Sequence, residues 1–157
     1  MVEAKRGESM DASENVRIRP LKKEDLETIV EIDGRVLGDK RKDYWKRKLE
    51  RVDNRSSQVS LVAEVEGNVV GFILGDVSGW EFGVPNTIGW IDTIGIDPSY
   101  QKKGLATALA QELIKKLRTI GVKTIYTLVS WNDWDLLQFF HAMGFTRGDM
   151  INLELTI

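Results

Sequence analysis

The residues with the greatest capacity for chemistry stand together as Gln101-Lys102-Lys103-Gly104-Leu105-Ala106-Thr107. Gly104 leaves no Cβ where an anion must approach the backbone, and Ala106 is the next smallest choice. Lys102 and Lys103 add positive charge, and Thr107 can donate a hydroxyl hydrogen. From Leu105 onward, Leu109, Leu113 and Leu117 recur at every fourth residue, the spacing of one helix face. The loop therefore opens onto a helix N-terminus, where free N–H groups and the helix dipole favour a phosphate. A short Gly/Ala loop is also an ordinary structural helix start, so its context decides.

That context is a strand. Ile88 to Ile96 is rich in β-branched and aromatic residues, and Asp97-Pro98 ends it, because proline donates no ladder hydrogen bond. Gly95 inside this run suggests a bulge or a close backbone approach. Upstream, Val16 to Arg19 reads as a first strand. Glu24 and Asp25 open a helix whose buried face holds Leu26, Ile29, Val30 and Ile32. Arg41 to Val52 reads as a second helix with Trp45, Leu49 and Val52 at helical spacing. Its basic face, from Lys40 to Lys48, is either a solvated surface or a docking site for an acidic partner.

Ser60 to Val65 and Val69 to Leu74 flank Glu66-Gly67-Asn68 as a hairpin. Ser78 to Thr87 is a loop whose Trp80 and Phe82 must cover something apolar. Gly121 ends the long helix, Thr124 to Val129 is a buried strand, and Asp133 to Met143 is a helix closed by Gly144. Its inward face holds Leu136, Phe139, Phe140 and Met143. Ile151, Leu153, Leu155 and Ile157 alternate strictly, which predicts a final strand over 145–157.

The whole chain sets limits. Its 157 residues fit one domain, with 42% apolar and 29% charged residues, the profile of a globular protein. Residues 1–15 read as a flexible N-terminal tail and 16–157 as the domain. A net charge of −2 argues against a nucleic-acid partner. No apolar run is long enough to span a membrane and no signal-peptide core is visible, so the cytoplasm is the expected location. With no cysteine and only His141, neither a thiolate intermediate nor a metal site is expected.

Strand, Asp-Pro, Gln-x-x-Gly-x-Ala and amphipathic helix together resemble the acetyl-CoA-binding motif of the GNAT acetyltransferase superfamily. The resemblance runs from about Arg17 to the C-terminus. It implies an α+β fold with a mixed central sheet flanked by helices, matching the element order read above. It further implies an N-acetyltransferase that moves an acetyl group from acetyl-CoA to a primary amine by direct transfer in a ternary complex. The acceptor would be a small molecule, a peptide N-terminus or a lysine, and a homodimer is a possible assembly.

By the same resemblance, Gln101 to Thr107 would hold the pyrophosphate, with Lys102, Lys103, Gly104, Leu105 and Ala106 in its centre. Backbone groups of Ile94, Gly95 and Ile96 would receive the pantetheine arm as an added strand. Asp92, the one acid in its strand, is the candidate base, or else a structural aspartate bonded to nearby backbone. Glu81 and Glu64 are weaker candidates for that role. The family often has a tyrosine as general acid where this chain has Phe140, which cannot donate a proton. His141 is the tempting substitute, or simply a surface histidine. Trp131, Trp134, Trp80, Tyr44 and Trp45 line an acceptor region or belong to the core. The rival from another class is a non-catalytic acyl-CoA-binding domain, motivated by Phe140.

Overall fold

The computed structural model describes residues 15–50, 59–77 and 88–157. In chain order come β1 (Val16–Pro20), α1 (Leu26–Leu37), α2 (Lys42–Glu50), β2 (Leu61–Val65), β3 (Asn68–Asp76) and β4 (Ile88–Ile96). They are followed by α3 (Leu105–Thr119), β5 (Thr124–Thr127) and α4 (Trp134–Ala142). The strands form one mixed sheet in the order β1-β2-β3-β4-β5. Neighbours are antiparallel up to β4, and β5 runs parallel to β4. Helix α3 supplies the long crossover that a parallel pair needs. Glu66 and Gly67, at φ 51 and φ 81, turn the β2–β3 hairpin in the left-handed region a tight hairpin requires.

Helices cover both faces of the sheet, so β3 is buried almost throughout. On one face α3 packs Leu105, Leu109, Leu113 and Leu117 against Leu61, Ala63, Ile73, Ile91 and Ile96. The sheet is hollowed to receive them. A Cβ on Gly75 would stand 2.8 Å from Leu113, and one on Gly89 would stand 3.1 Å from Leu117. Leu113 and Leu117 thus sit in slots where the strands carry no side chain. Burial of each such leucine is worth roughly 1.5–3 kcal/mol. The other face is built from Ile29, Val30, Ile32, Trp45 and Leu49 over Val62, Phe72 and Leu74.

Helices α3 and α4 both stop in Schellman motifs. At the end of α3, Val122 N–H donates to Leu117 O at 3.0 Å and Gly121 N–H to Arg118 O at 3.1 Å. At the end of α4, Phe145 N–H donates to Phe140 O and Gly144 N–H to His141 O, both at 3.0 Å. The Phe140 and Phe145 rings, 5.0 Å apart, make the apolar contact that accompanies the second motif.

The expected final strand does not form. Residues 145–157 carry no regular structure, and Ile151, Leu153, Leu155 and Ile157 are at least four-fifths exposed. Alternation prepares a segment to be a strand, but a strand also needs a ladder partner and a core beneath one face. This segment has neither among the described residues. Val52, Trp80, Glu81, Phe82 and the expected tail up to Glu14 lie outside the described residues.

Gly95 is a site of close approach rather than a bulge. A Cβ there would stand 2.6 Å from Cζ of Phe72, a ring that is itself held edge-on by Trp45 at 5.1 Å. Gly95→Ala should therefore overpack this face and destabilise the protein by about 1–3 kcal/mol. Urea unfolding measures it, and unchanged stability would show that the Phe72 ring yields freely.

Candidate active site

The site begins where two strands part. β4 and β5 pair from Ile88↔Thr124 to Ile91↔Thr127, and there β5 ends. Thr127 Oγ1 donates to Ile91 O at 3.0 Å, the last tie between them. At the same level β4 carries its bulge. Leu74 pairs with Thr93 and Gly75 with Ile91, so Asp92 is the extra residue without an opposite number. The side chains confirm the shift. Ile91 and Ile94 both pack on the α3 core although they are three residues apart.

Beyond the bulge β4 keeps its β3 partner on one edge only. Asp97 N–H donates to Val70 O of β3 at 2.8 Å. Peptide groups alternate along a strand, so Gly95 also faces β3, whereas Ile94 and Ile96 turn their N–H and C=O into the gap. One of these acceptors, Ile96 O, receives Gln101 Nε2 at 3.1 Å. Of the three residues expected to receive an added strand, two therefore present their backbone. Gly95 contributes through its missing side chain.

The exit from β4 is held firmly. The Asp97 carboxylate accepts Ser99 N–H at 2.9 Å and the Arg35 guanidinium from α1. The chain then reaches the loop, where Lys102 (φ 61) and Gly104 (φ 82) are both left-handed. This conformation is costly for lysine and marks a loop held by its surroundings. Gly104 is the N-cap of α3 and offers no side-chain cap. The first N–H groups of α3 thus have neither an intrahelical nor an N-cap side-chain acceptor. Apart from its chain neighbours, no atom lies within 4 Å of where a Gly104 Cβ would be, and Gly104 to Thr107 border a cleft.

A cleft of about 750 Å³ joins these parts. It is lined by Asp92 to Ile96, by Gln101, Lys102 and Gly104 to Thr107, and by Thr127 and Leu128 across the gap. Lys103 is not on its wall and lies over the Tyr100 ring at 5.2 Å. From α4 come Leu136, Phe139 and Phe140. Phe140 is only 4% exposed and packs between Phe139 and Phe145. It is a wall residue with no proton to give. His141 is exposed and does not line the cleft.

Asp92 sits at the far end of the cleft from the loop, and its partner among the described residues is a side chain. Lys48 Nζ from α2 lies 2.8 Å from its carboxylate, and both side chains are about 30% exposed. Glu64 is elsewhere, bonded to Arg19 at 2.6 Å, and Glu81 lies outside the described residues.

Sequence reasoning missed Asp33 and Arg41, which also line this cleft. The Asp33 carboxylate is buried. It accepts two bonds from Arg41, at 2.9 and 3.0 Å, and one from Trp45 Nε1 at 2.7 Å. The hydrogen bond to Asp33 holds the Arg41 guanidinium above its ordinary pKa, against the opposing effect of burial. The signal was present, because Asp33 falls at helical spacing within the apolar stripe of Ile29, Val30 and Ile32. Trp45 is fully buried and belongs to the core. Trp131 and Trp134 are exposed and, like Tyr44, do not line the cleft.

In this structure a mixed sheet parts beside a helix start whose first amides have no side-chain cap. Residues 22–145 match the family model described as Acetyltransferase (GNAT) family. The chain belongs to that family. Solved structures of similar fold include a transcriptional regulator from Bacillus halodurans, 19% identical over 91% of this chain and all of that one, with a TM-score of 0.74. An aminoglycoside N-acetyltransferase in complex with CoA is 16% identical over 92% of this chain and 96% of that one, with a TM-score of 0.74. The ribosomal-protein-S18-alanine N-acetyltransferase of Escherichia coli is 22% identical over 85% of this chain and 79% of that one, with a TM-score of 0.71. Among the described residues no helix is long and apolar enough to cross a membrane, and no cluster of three or more potential metal ligands occurs.

Proposed function

We propose that this protein is an N-acetyltransferase that uses acetyl-CoA to acetylate a primary amine by direct transfer. The observation that carries the proposal is the continuity of one cleft. It joins the open N-terminus of α3, the gap-facing peptide groups of Ile94 and Ile96, and the carboxylate of Asp92.

Each part has a role. The N–H groups of Leu105, Ala106 and Thr107, with Lys102 beside them, bind the pyrophosphate. Ile94 and Ile96 bond the pantetheine arm edge-on, as a strand would be bonded. The same peptide edge stabilises negative charge growing on the thioester oxygen. Asp92 accepts the proton that the acceptor amine must lose, directly or through a water. Phe140 cannot protonate the departing thiolate, so solvent supplies that proton. This costs little, because a thiol of ordinary pKa, about 8.5, is a good leaving group. The acceptor class stays broad: a small amine, a peptide N-terminus or a lysine side chain. A panel of such amines, followed by CoA release, separates this reading from that of a binding domain without turnover.

The loop can be tested by itself. Gly104→Val puts a β-branched residue at φ 82, which valine resists, and fills the open space before the helix. Affinity for acetyl-CoA should fall at least about tenfold, ~1.4 kcal/mol. Calorimetry on folded variant protein reads this directly, and unchanged affinity would remove the loop from the site.

Asp92→Asn keeps the shape of the side chain but cannot take a proton. Turnover should drop by about 10²–10⁴-fold, with acetyl-CoA affinity nearly unchanged. A variant that matches the native rate at every pH would make Asp92 structural.

A further inference from the structure

The ammonium nearest to Asp92 belongs to the protein itself. Lys48 reaches from α2 and holds its Nζ 2.8 Å from the carboxylate. An acceptor amine would need that same place to hand over its proton. Asp92 and Ile94 are two residues apart, about 7 Å along a strand. The edge expected to hold the thioester is therefore within a rotamer change of the lysine's four-carbon stem. Lys48 is also only partly exposed, whereas Lys42 and Lys46 on the same helix are exposed. Lys48 does not itself line the cleft, and its ammonium meets the site through Asp92, which does.

We infer that Lys48 is an internal acceptor, acetylated by the protein's own active site. The inference rests on the reading of the cleft as an acetyl-CoA site. In the step, Lys48 Nζ gives a proton to Asp92 and attacks the thioester carbon. The N–C bond forms, the C–S bond breaks, and the nitrogen loses its second proton. One proton ends on the CoA sulfur and the other passes to solvent, leaving an amide on Lys48 and free CoA. The product carries no charge on Lys48, so Asp92 is released from its ion pair and is free for an external amine.

The test uses the full-length native protein with acetyl-CoA and no added amine, followed by peptide mass mapping over time. Calorimetry for acetyl-CoA binding and CoA release with an amine panel run in parallel. Lys48 should gain one acetyl group at least about tenfold faster than Lys42 or Lys46, a modest share of what proximity can supply. The rate should be independent of protein concentration, and an excess of free CoA should suppress it at Lys48 alone. Uncatalysed acetylation would favour the exposed lysines instead. If acetyl-CoA binds and amines are acetylated while Lys48 stays unmodified, or reacts no faster than Lys42 and Lys46, the inference is wrong and the proposed function stands. A Lys48 rate that rises with protein concentration also overturns it, since one molecule would then be acetylating another. If calorimetry finds no acetyl-CoA binding, the reading of the cleft fails and the inference falls with it.

Discussion

The site depends on a single extra residue. Asp92 has no opposite number on β3, and that insertion coincides with the last pairing between β4 and β5 at Ile91 and Thr127. A bulge bends its strand and increases its twist, which turns the next segment away from a parallel neighbour. Two results follow from one cause. The edge of Ile94 and Ile96 loses its β5 partner inside the molecule, with only Ile96 O taken up by Gln101, and Asp92 is set at the mouth of the gap. Unpaired peptide groups away from water are costly, so such an edge is tolerable only where a ligand or solvent can satisfy it.

A gap in the middle of a sheet must be held open by what surrounds it. On one side α3 is seated by Leu113 and Leu117 in the hollows at Gly75 and Gly89, which fixes the helix along its length. Its N-terminus is fixed in consequence, and with it the amides that follow Gly104. On the other side Trp45, bonded to Asp33, braces Phe72 beneath Gly95. Arg35 and Asp97 then tie α1 to the exit of β4. Each wall of the cleft is thus an extension of one of the two cores.

Much of this was legible in the sequence, because the signals are local. Gly104 and the leucines at every fourth position announce a helix start and its buried face without reference to any other segment. Gly121 and Gly144, each followed by an apolar residue, announce Schellman stops. The position of the bulge was not legible, since it is a property of register between β3 and β4 and neither strand alone reveals it. Gly95 announced the close approach that Phe72 makes, but not the residue at which the strand bulges. Asp33 was marked only by its place in an apolar stripe, and its partners Arg41 and Trp45 come from beyond its own helix. The C-terminal alternation misled in the opposite sense: the pattern states what a segment is able to do, and among the described residues no strand pairs with it.

The central claim is that the parted edge of β4 and the start of α3 form one binding surface. Amide hydrogen exchange with and without CoA tests it residue by residue. Exchange should slow at Ile94 and Ile96 and at Leu105, Ala106 and Thr107, while Gly95, whose amide already faces β3, should change little. Protection that spares Ile94 and Ile96, or that appears only along α1, would contradict the account.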